Sequence, residues 1–217
     1  MCKDVSSEEE LLEKCRAIEG LSLSQVANKL SLSIPEDPNQ RKGFAGMMVE
    51  MALGANAGNK SEPDFPNLGV ELKTLPINHL CKPAESTFIT SIPLLTVYKQ
   101  TWVTSQCYAK LKRVLWVPIE DDDNIPYAHR RIGQGILWSP SNGDEAILAN
   151  DWEELTLLIS TGYVSTITAE MGEYLQVRPK AADSSALCYA LDEDGQKVKT
   201  LPLGFYLRST FTRRILL

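Results

Sequence analysis

The run Val114-Leu115-Trp116-Val117, apolar without interruption and followed by Pro118, constrains this chain more than any other short segment. Its β-branched and aromatic residues favour extended backbone, and a strand with no polar position looks buried on both faces. Pro118 cannot donate to a ladder, so it is expected to end that strand. Around it the sequence offers covering helices. Ser7-Glu8-Glu9-Glu10 fits a capping box ahead of the apolar stripe Leu11, Leu12, Cys15 and Ile18, with Gly20 as a stop. A second short helix is expected over Ser24 to Leu30, and a loop from Pro35 to Asn39. Between Gly43 and Gly54 the pattern predicts a helix with Phe44, Met47, Met48 and Met51 on one face and Glu50 at its edge. A long amphipathic helix is expected from Asp144 to Ile159, ended by Gly162.

The remaining extended segments complete an α/β pattern. Leu68-Gly69-Val70-Glu71-Leu72-Lys73-Thr74-Leu75 alternates as a strand, with Val70 and Leu72 on one side and Glu71 and Lys73 on the other. Ser86 to Ile92, Tyr174 to Val177 and Gly204 to Leu207 read as further strands, the last before a basic C-terminal turn or helix. Ser184 to Leu191 reads as a short helix or strand. The first two helices faintly resemble a helix-turn-helix, although two amphipathic helices packing on a core is the simpler account.

Composition narrows the class. The 217 residues, 43% hydrophobic and 23% charged, suffice for one domain or two tightly packed lobes. No apolar run approaches bilayer length and the N-terminus lacks the apolar core of a signal peptide, so a cytoplasmic, non-membrane protein is expected. Five cysteines without a CxxC pair, and only His79 and His129 beside them, exclude zinc-ligand spacing and favour reduced, packed thiols. A net charge of -6 argues against a protein that coats nucleic acid indiscriminately. The basic clusters at Lys110 to Arg113, Arg130-Arg131, Arg178 to Lys180 and Arg208 to Arg214 leave local DNA contact open.

One constellation carries chemistry. Hydrolysing a phosphodiester requires an activated water, neutralisation of the crowded phosphate and help for the departing oxygen. Asp64 in a loop and Glu71 on a strand are hard oxygen ligands suited to Mg²⁺, which favours one or two carboxylates plus water. Lys73, on the same strand face as Glu71, can orient the attacking water and stabilise negative charge. The spacing alone also fits a surface Glu/Lys pair and a loop Asp. Two additions strengthen the nuclease reading: Pro63 directly precedes Asp64, and Glu50 lies on the preceding helix. This order resembles the core of the PD-(D/E)xK nucleases. The segment Gly54-Ala55-Asn56-Ala57-Gly58-Asn59-Lys60-Ser61 imitates a phosphate-binding loop, but its spacing is wrong and a strand, not a helix, follows it.

The stretches Arg41-Lys42-Gly43, Asp64-Phe65 with Leu68 through Thr74, Lys110 through Trp116, Glu173 through Gln176 with Arg178-Pro179-Lys180-Ala181, and Gly204-Phe205-Tyr206-Leu207 resemble the MutH family over nearly the whole chain. Members of that family are the strand-discriminating endonucleases of methyl-directed mismatch repair. The resemblance implies a restriction-endonuclease-like α/β fold, a mixed sheet flanked by helices. It implies two lobes around a DNA-binding cleft, the catalytic lobe mainly in the N-terminal half and the recognition lobe mainly in the C-terminal half. It implies a nick 5′ to the G of an unmethylated GATC in hemimethylated duplex DNA, by a monomer activated by MutL after MutS has found a mismatch. Position by position, Glu50, Asp64 and Glu71 resemble the metal-associated acids, Lys73 the catalytic lysine and Lys110 a second active-site lysine.

For DNA contact the resemblance points to Arg178, Pro179 and Lys180 in a recognition loop, to Tyr206 as the sensor of adenine methylation, and to Lys42 and Phe88 near the DNA. An arginine fork suits guanine O6 and N7, and an aromatic surface can tell an amino from a methylamino group. Without the family, Tyr206 and Phe88 read as packing aromatics and Lys110 as one member of a basic run. The family pattern continues past Ile215-Leu216-Leu217, and a longer tail is expected to bear on contacts with MutL or DNA rather than on the nuclease core. The alternative from another class is a sequence-specific DNA-binding protein that does not cut.

Overall fold

The computed structural model describes residues 5–55, 62–180 and 186–216. In chain order its helices and strands are Glu8–Arg16 (α1), Leu23–Lys29 (α2), Pro38–Arg41 (α3), Phe44–Leu53 (α4), Glu71–Ile77 (β1), Thr87–Ser91 (β2), Gln106–Leu111 (α5), Val114–Glu120 (β3), Ile136–Trp138 (β4), Asn142–Ser160 (α6), Leu175–Pro179 (β5), Cys188–Leu191 (β6), Lys197–Thr200 (β7), Leu203–Leu207 (β8) and Ser209–Ile215 (α7). This is the α/β composition the sequence predicts. The phosphate-loop imitation beyond Ala55 lies outside the described residues, as do Ser184 and Ser185 of the expected Ser184 to Leu191 element. No described helix is long and apolar enough to cross a membrane.

The chain divides into two units. The first draws on Met1–Ala84 and Lys112–Ser139, the second on Glu85–Leu111 and Pro140–Ile215. In the first unit β3 is the central strand: β1 pairs with it in parallel from Glu71↔Val114 to Ile77↔Glu120, and β4 pairs antiparallel on its other side. Every β3 residue before Glu120 is buried, as uninterrupted apolarity demands. Leu72, Leu115 and Val117 pack with Leu11 and Cys15 of α1, Leu23 and Val26 of α2, and Met48, Val49 and Leu53 of α4. The first two helices are therefore core-forming elements. Side-chain caps start both, Ser7 accepting from Glu10 N–H and Ser22 forming a capping box with Gln25.

Four sequence expectations are corrected here. The expected loop from Pro35 to Asn39 gives way at Pro38 to α3, which Asp37 caps by accepting from Asn39 N–H. β3 runs through Pro118 to Glu120. The Pro118 carbonyl accepts from Gly133 N–H on the side where pairing with β4 has already ended at Trp116↔Ile136, so its missing N–H costs the ladder nothing. The expected strand at Leu68 instead begins at Glu71, because Pro66 to Gly69 form a turn. In α4 the core face is Met48, Val49 and Leu53, while Met47 and Met51 are exposed. That helix is apolar nearly all round, so its sequence pattern could not select a face.

In the second unit β8 lies between β2 and β5, antiparallel to both. The long helix α6, capped by Ser141, buries Leu148, Trp152, Leu155 and Ile159 and packs against β5. α5 packs against β2, and β6 and β7 form a separate antiparallel ribbon. The described cysteines Cys15, Cys81, Cys107 and Cys188 are free thiols. Burial raises the Cys15 thiol to about 11 and pushes Cys107 further in the same direction, so both remain protonated packing groups.

Candidate active site and DNA-reading strands

The sequence separation of Asp64 from Glu71 is removed by a tight turn. Phe65 and Val70 exchange backbone hydrogen bonds at 2.9 and 3.3 Å, forming an antiparallel bridge, and Gly69 turns the chain at φ +65°. The residues just outside that bridge are Asp64 and Glu71, which are thereby set side by side at the start of β1. Asp64 is buried, and its Oδ2 accepts from Leu72 N–H at 2.9 Å. Glu71 is 1% exposed, and its backbone N–H donates to Arg113 O at 3.0 Å, which ties it to β3. Lys73 Nζ donates to Glu71 Oε1 at 2.6 Å, a charge-assisted contact on the polar side of β1.

Two carboxylates held out of water at the start of one strand offer oxygen donors to a divalent cation. Their oxygens are hard donors, and Mg²⁺ completes its shell with water and substrate, so this pair fits magnesium. Among the described residues no three His, Cys, Asp or Glu side chains gather as a metal-holding group. Glu50 is half-buried in the last turn of α4, which packs on β1, and its carbonyl caps Gly54 and Ala55 N–H at 2.9 Å. Lys42 is exposed immediately before the Gly43 cap of α4.

The remaining predicted residues belong to the second unit. Lys110, half-buried, lies in the last turn of α5. Phe88, Tyr206 and Gln176 form one row across β2, β8 and β5, in the registers Phe88↔Tyr206 and Gln176↔Tyr206. The rings of Phe88 and Tyr206 meet edge to face with centroids 5.3 Å apart, and Lys180 Nζ lies 3.2 Å from the Phe88 centroid. Tyr206 is half-buried between buried Phe205 and Leu207. Burial raises its phenol above the ordinary value, partly opposed by Arg178, so it is neutral at physiological pH. Arg178, Pro179 and Lys180 are exposed at the end of β5.

The model of the DNA mismatch repair enzyme MutH matches residues 53–151, a span that includes Asp64, Glu71, Lys73 and Lys110. Over 210 residues the chain is 49% identical to the DNA mismatch repair protein MutH of Actinobacillus pleuropneumoniae serotype 3, covering 97% of this chain and 93% of that protein. The chain belongs to the MutH family. MutH of Serratia proteamaculans is likewise 49% identical over 97% of this chain and 92% of its own length, and MutH of Vibrio campbellii is 47% identical over 100% and 96%.

Within this MutH-family chain one residue of the row formed by Phe88, Tyr206 and Gln176 was not singled out from the sequence. Gln176 is 2% exposed and donates through Nε2 to Ser86 Oγ at 2.6 Å. Two-residue alternation places it on the face of Arg178, and that period was the available signal. Its burial and its partner 90 positions away were not visible in the pattern.

Proposed function

We propose that this chain is a magnesium-dependent endonuclease that nicks the unmethylated strand 5′ to the G of hemimethylated GATC, under activation by MutL once MutS has found a mismatch. The observation that carries this reading is the pair of buried carboxylates, Asp64 and Glu71, brought together by the Phe65–Val70 bridge beside Lys73. Asp64 and Glu71 would hold the ion, and Glu50, the third acid that the family resemblance names, lies apart from them on α4, which packs on β1. Bound magnesium supplies Lewis-acid stabilisation of charge on the phosphate. The Lys73 ammonium orients the attacking water and stabilises negative charge as the phosphorus–oxygen bond breaks, and Lys110 serves as the second lysine at the phosphate.

The first unit carries the cutting residues Asp64, Glu71 and Lys73, and the second carries the reading residues. Arg178 reads guanine, flanked by Pro179 and Lys180, while Tyr206 tests the adenine N6 position with Phe88 against its ring. Lys42 contacts the DNA backbone. The working protein is a cytoplasmic monomer.

Nicking of a supercoiled plasmid containing hemimethylated GATC sites tests the proposal. Magnesium-dependent nicks confined to the unmethylated strand at GATC, accelerated by MutL, are expected. A chain that binds GATC duplex yet leaves it intact with magnesium and MutL present would be a non-cleaving DNA-binding protein.

A further inference from the structure

A buried carboxylate in α6 and a guanidinium after β8 hold the same short loop, one by its N–H groups and the other by its carbonyls. Asp151 is 3% exposed, in the middle of a helix otherwise anchored by Leu148, Trp152 and Leu155. Its Oδ1 accepts from Glu173 N–H at 2.9 Å, and its Oδ2 from Tyr174 and Leu175 N–H at 2.7 and 2.8 Å. Arg208 takes the opposite charge role. Its guanidinium donates to the carbonyls of Gly172 at 3.0 Å, Ala169 at 2.9 Å and Met171 at 3.1 Å, and its N–H donates to Tyr174 O at 2.9 Å. Gly172 has φ +78°, and a Cβ there would lie 1.9 Å from Leu175 O, so the loop closes only around glycine.

A buried carboxylate on three backbone donors and an arginine fork on three carbonyls are strong, directional contacts, and they sit on a loop that no regular ladder holds. This loop leads directly into β5, and Arg208 directly follows β8. The two strands whose register opposes Gln176 to Tyr206 and Arg178 to Gly204 are thus pinned together at one end. A slip of one residue there would turn Arg178 to the opposite face of the sheet.

We propose that Asp151 and Arg208 are positioning residues that set the register of β5 against β8, and so determine base discrimination without touching DNA. The proposal rests on the reading of Arg178 and Tyr206 as DNA readers. It gives the 151 position a role in recognition, where a buried helix residue would otherwise count only as scaffold.

The experiment compares kcat/KM for nicking hemimethylated GATC with that for a duplex changed at the guanine, in wild type, Asp151→Asn and Arg208→Lys. Asparagine must turn its NH₂ toward at least one of the three loop N–H groups, and lysine cannot reproduce the fork. Both substitutions are expected to lower the GATC preference about tenfold, the scale of one guanine-reading contact. General destabilisation reduces the active fraction equally for every substrate and leaves the ratio unmoved. A folded Asp151→Asn or Arg208→Lys protein with the wild-type ratio overturns the proposal. Amide hydrogen exchange on the wild type gives a check independent of both variants: slow exchange at Glu173, Tyr174 and Leu175 is expected, and exchange at the rate of free loops overturns the clamp. Wild-type protein without GATC preference instead overturns the functional reading itself.

Discussion

At the scale of single residues, a buried glutamate with a lysine 2.6 Å away can be a neutral structural pair or half of a metal site. The adjoining buried Asp64 favours the metal site, because it adds a second set of hard oxygen donors at the start of the same strand. Glu71→Ala is expected to slow magnesium-dependent nicking about a thousandfold or more while affinity for GATC duplex, measured without magnesium, changes little. Nicking at the wild-type rate would remove Glu71 from the site. Tyr206 presents a neutral, half-exposed ring supported by Phe88. Tyr206→Ala should narrow the rate ratio between hemimethylated and fully methylated GATC, and an unchanged ratio would make the tyrosine a packing residue. Glu71 was legible from strand alternation and metal-ligand chemistry, whereas Tyr206 was named only by resemblance. The buried pairing of Gln176 with Ser86 was not legible, because it depends on strands distant in the chain.

At the scale of elements, the start of α1 is tied to the sheet. Glu8, in its first turn, bonds Arg113 at 2.6 Å, and Arg113 O receives the Glu71 N–H that begins β1. The hydrogen bond from Arg113, with its charge, holds the Glu8 carboxyl below the ordinary 4.5 despite some opposing desolvation. A depressed folded pKa means that this contribution is complete above 4.5 and is lost as pH falls through the lower folded value. The unfolding midpoint should therefore drop on acidification through that window, and Glu8→Gln should flatten the drop. Identical acid profiles would show that the pair contributes nothing to stability, as many exposed pairs do. Elements were legible where a cap and a period agreed, as in α1 and α6. They were misread where a proline or an apolar surround left tertiary contacts to decide, as at Pro118 and in α4.

At the scale of the whole molecule, the first unit is built on β3, whose Leu115 is fully buried among residues from α1, α2 and α4. Leu115→Ala is expected to destabilise the protein by about 2–5 kcal/mol, as for other buried leucines. Equilibrium denaturation in urea measures it, and a loss within about 0.5 kcal/mol, the range of surface changes, would show that this strand is not the core's centre. The second unit distributes its packing over β2, β8, β5 and α6, drawn from both sides of the segment that completes the first unit.

The sequence by itself determined the buried central strand, the capped helices, the α/β class and, through quoted motifs, the family and its candidate residues. These are local properties: periodicity, hydrogen-bonding capacity and motif order are written in adjacent positions. Only the tertiary structure decided that β3 continues past Pro118, that Asp64 and Glu71 meet across the Phe65–Val70 bridge, and that Asp151 and Arg208 grip the loop before β5. In each case the deciding contact is a backbone hydrogen bond, local at the Phe65–Val70 turn and distant at Pro118 and Asp151, and a linear pattern does not specify which group it will meet.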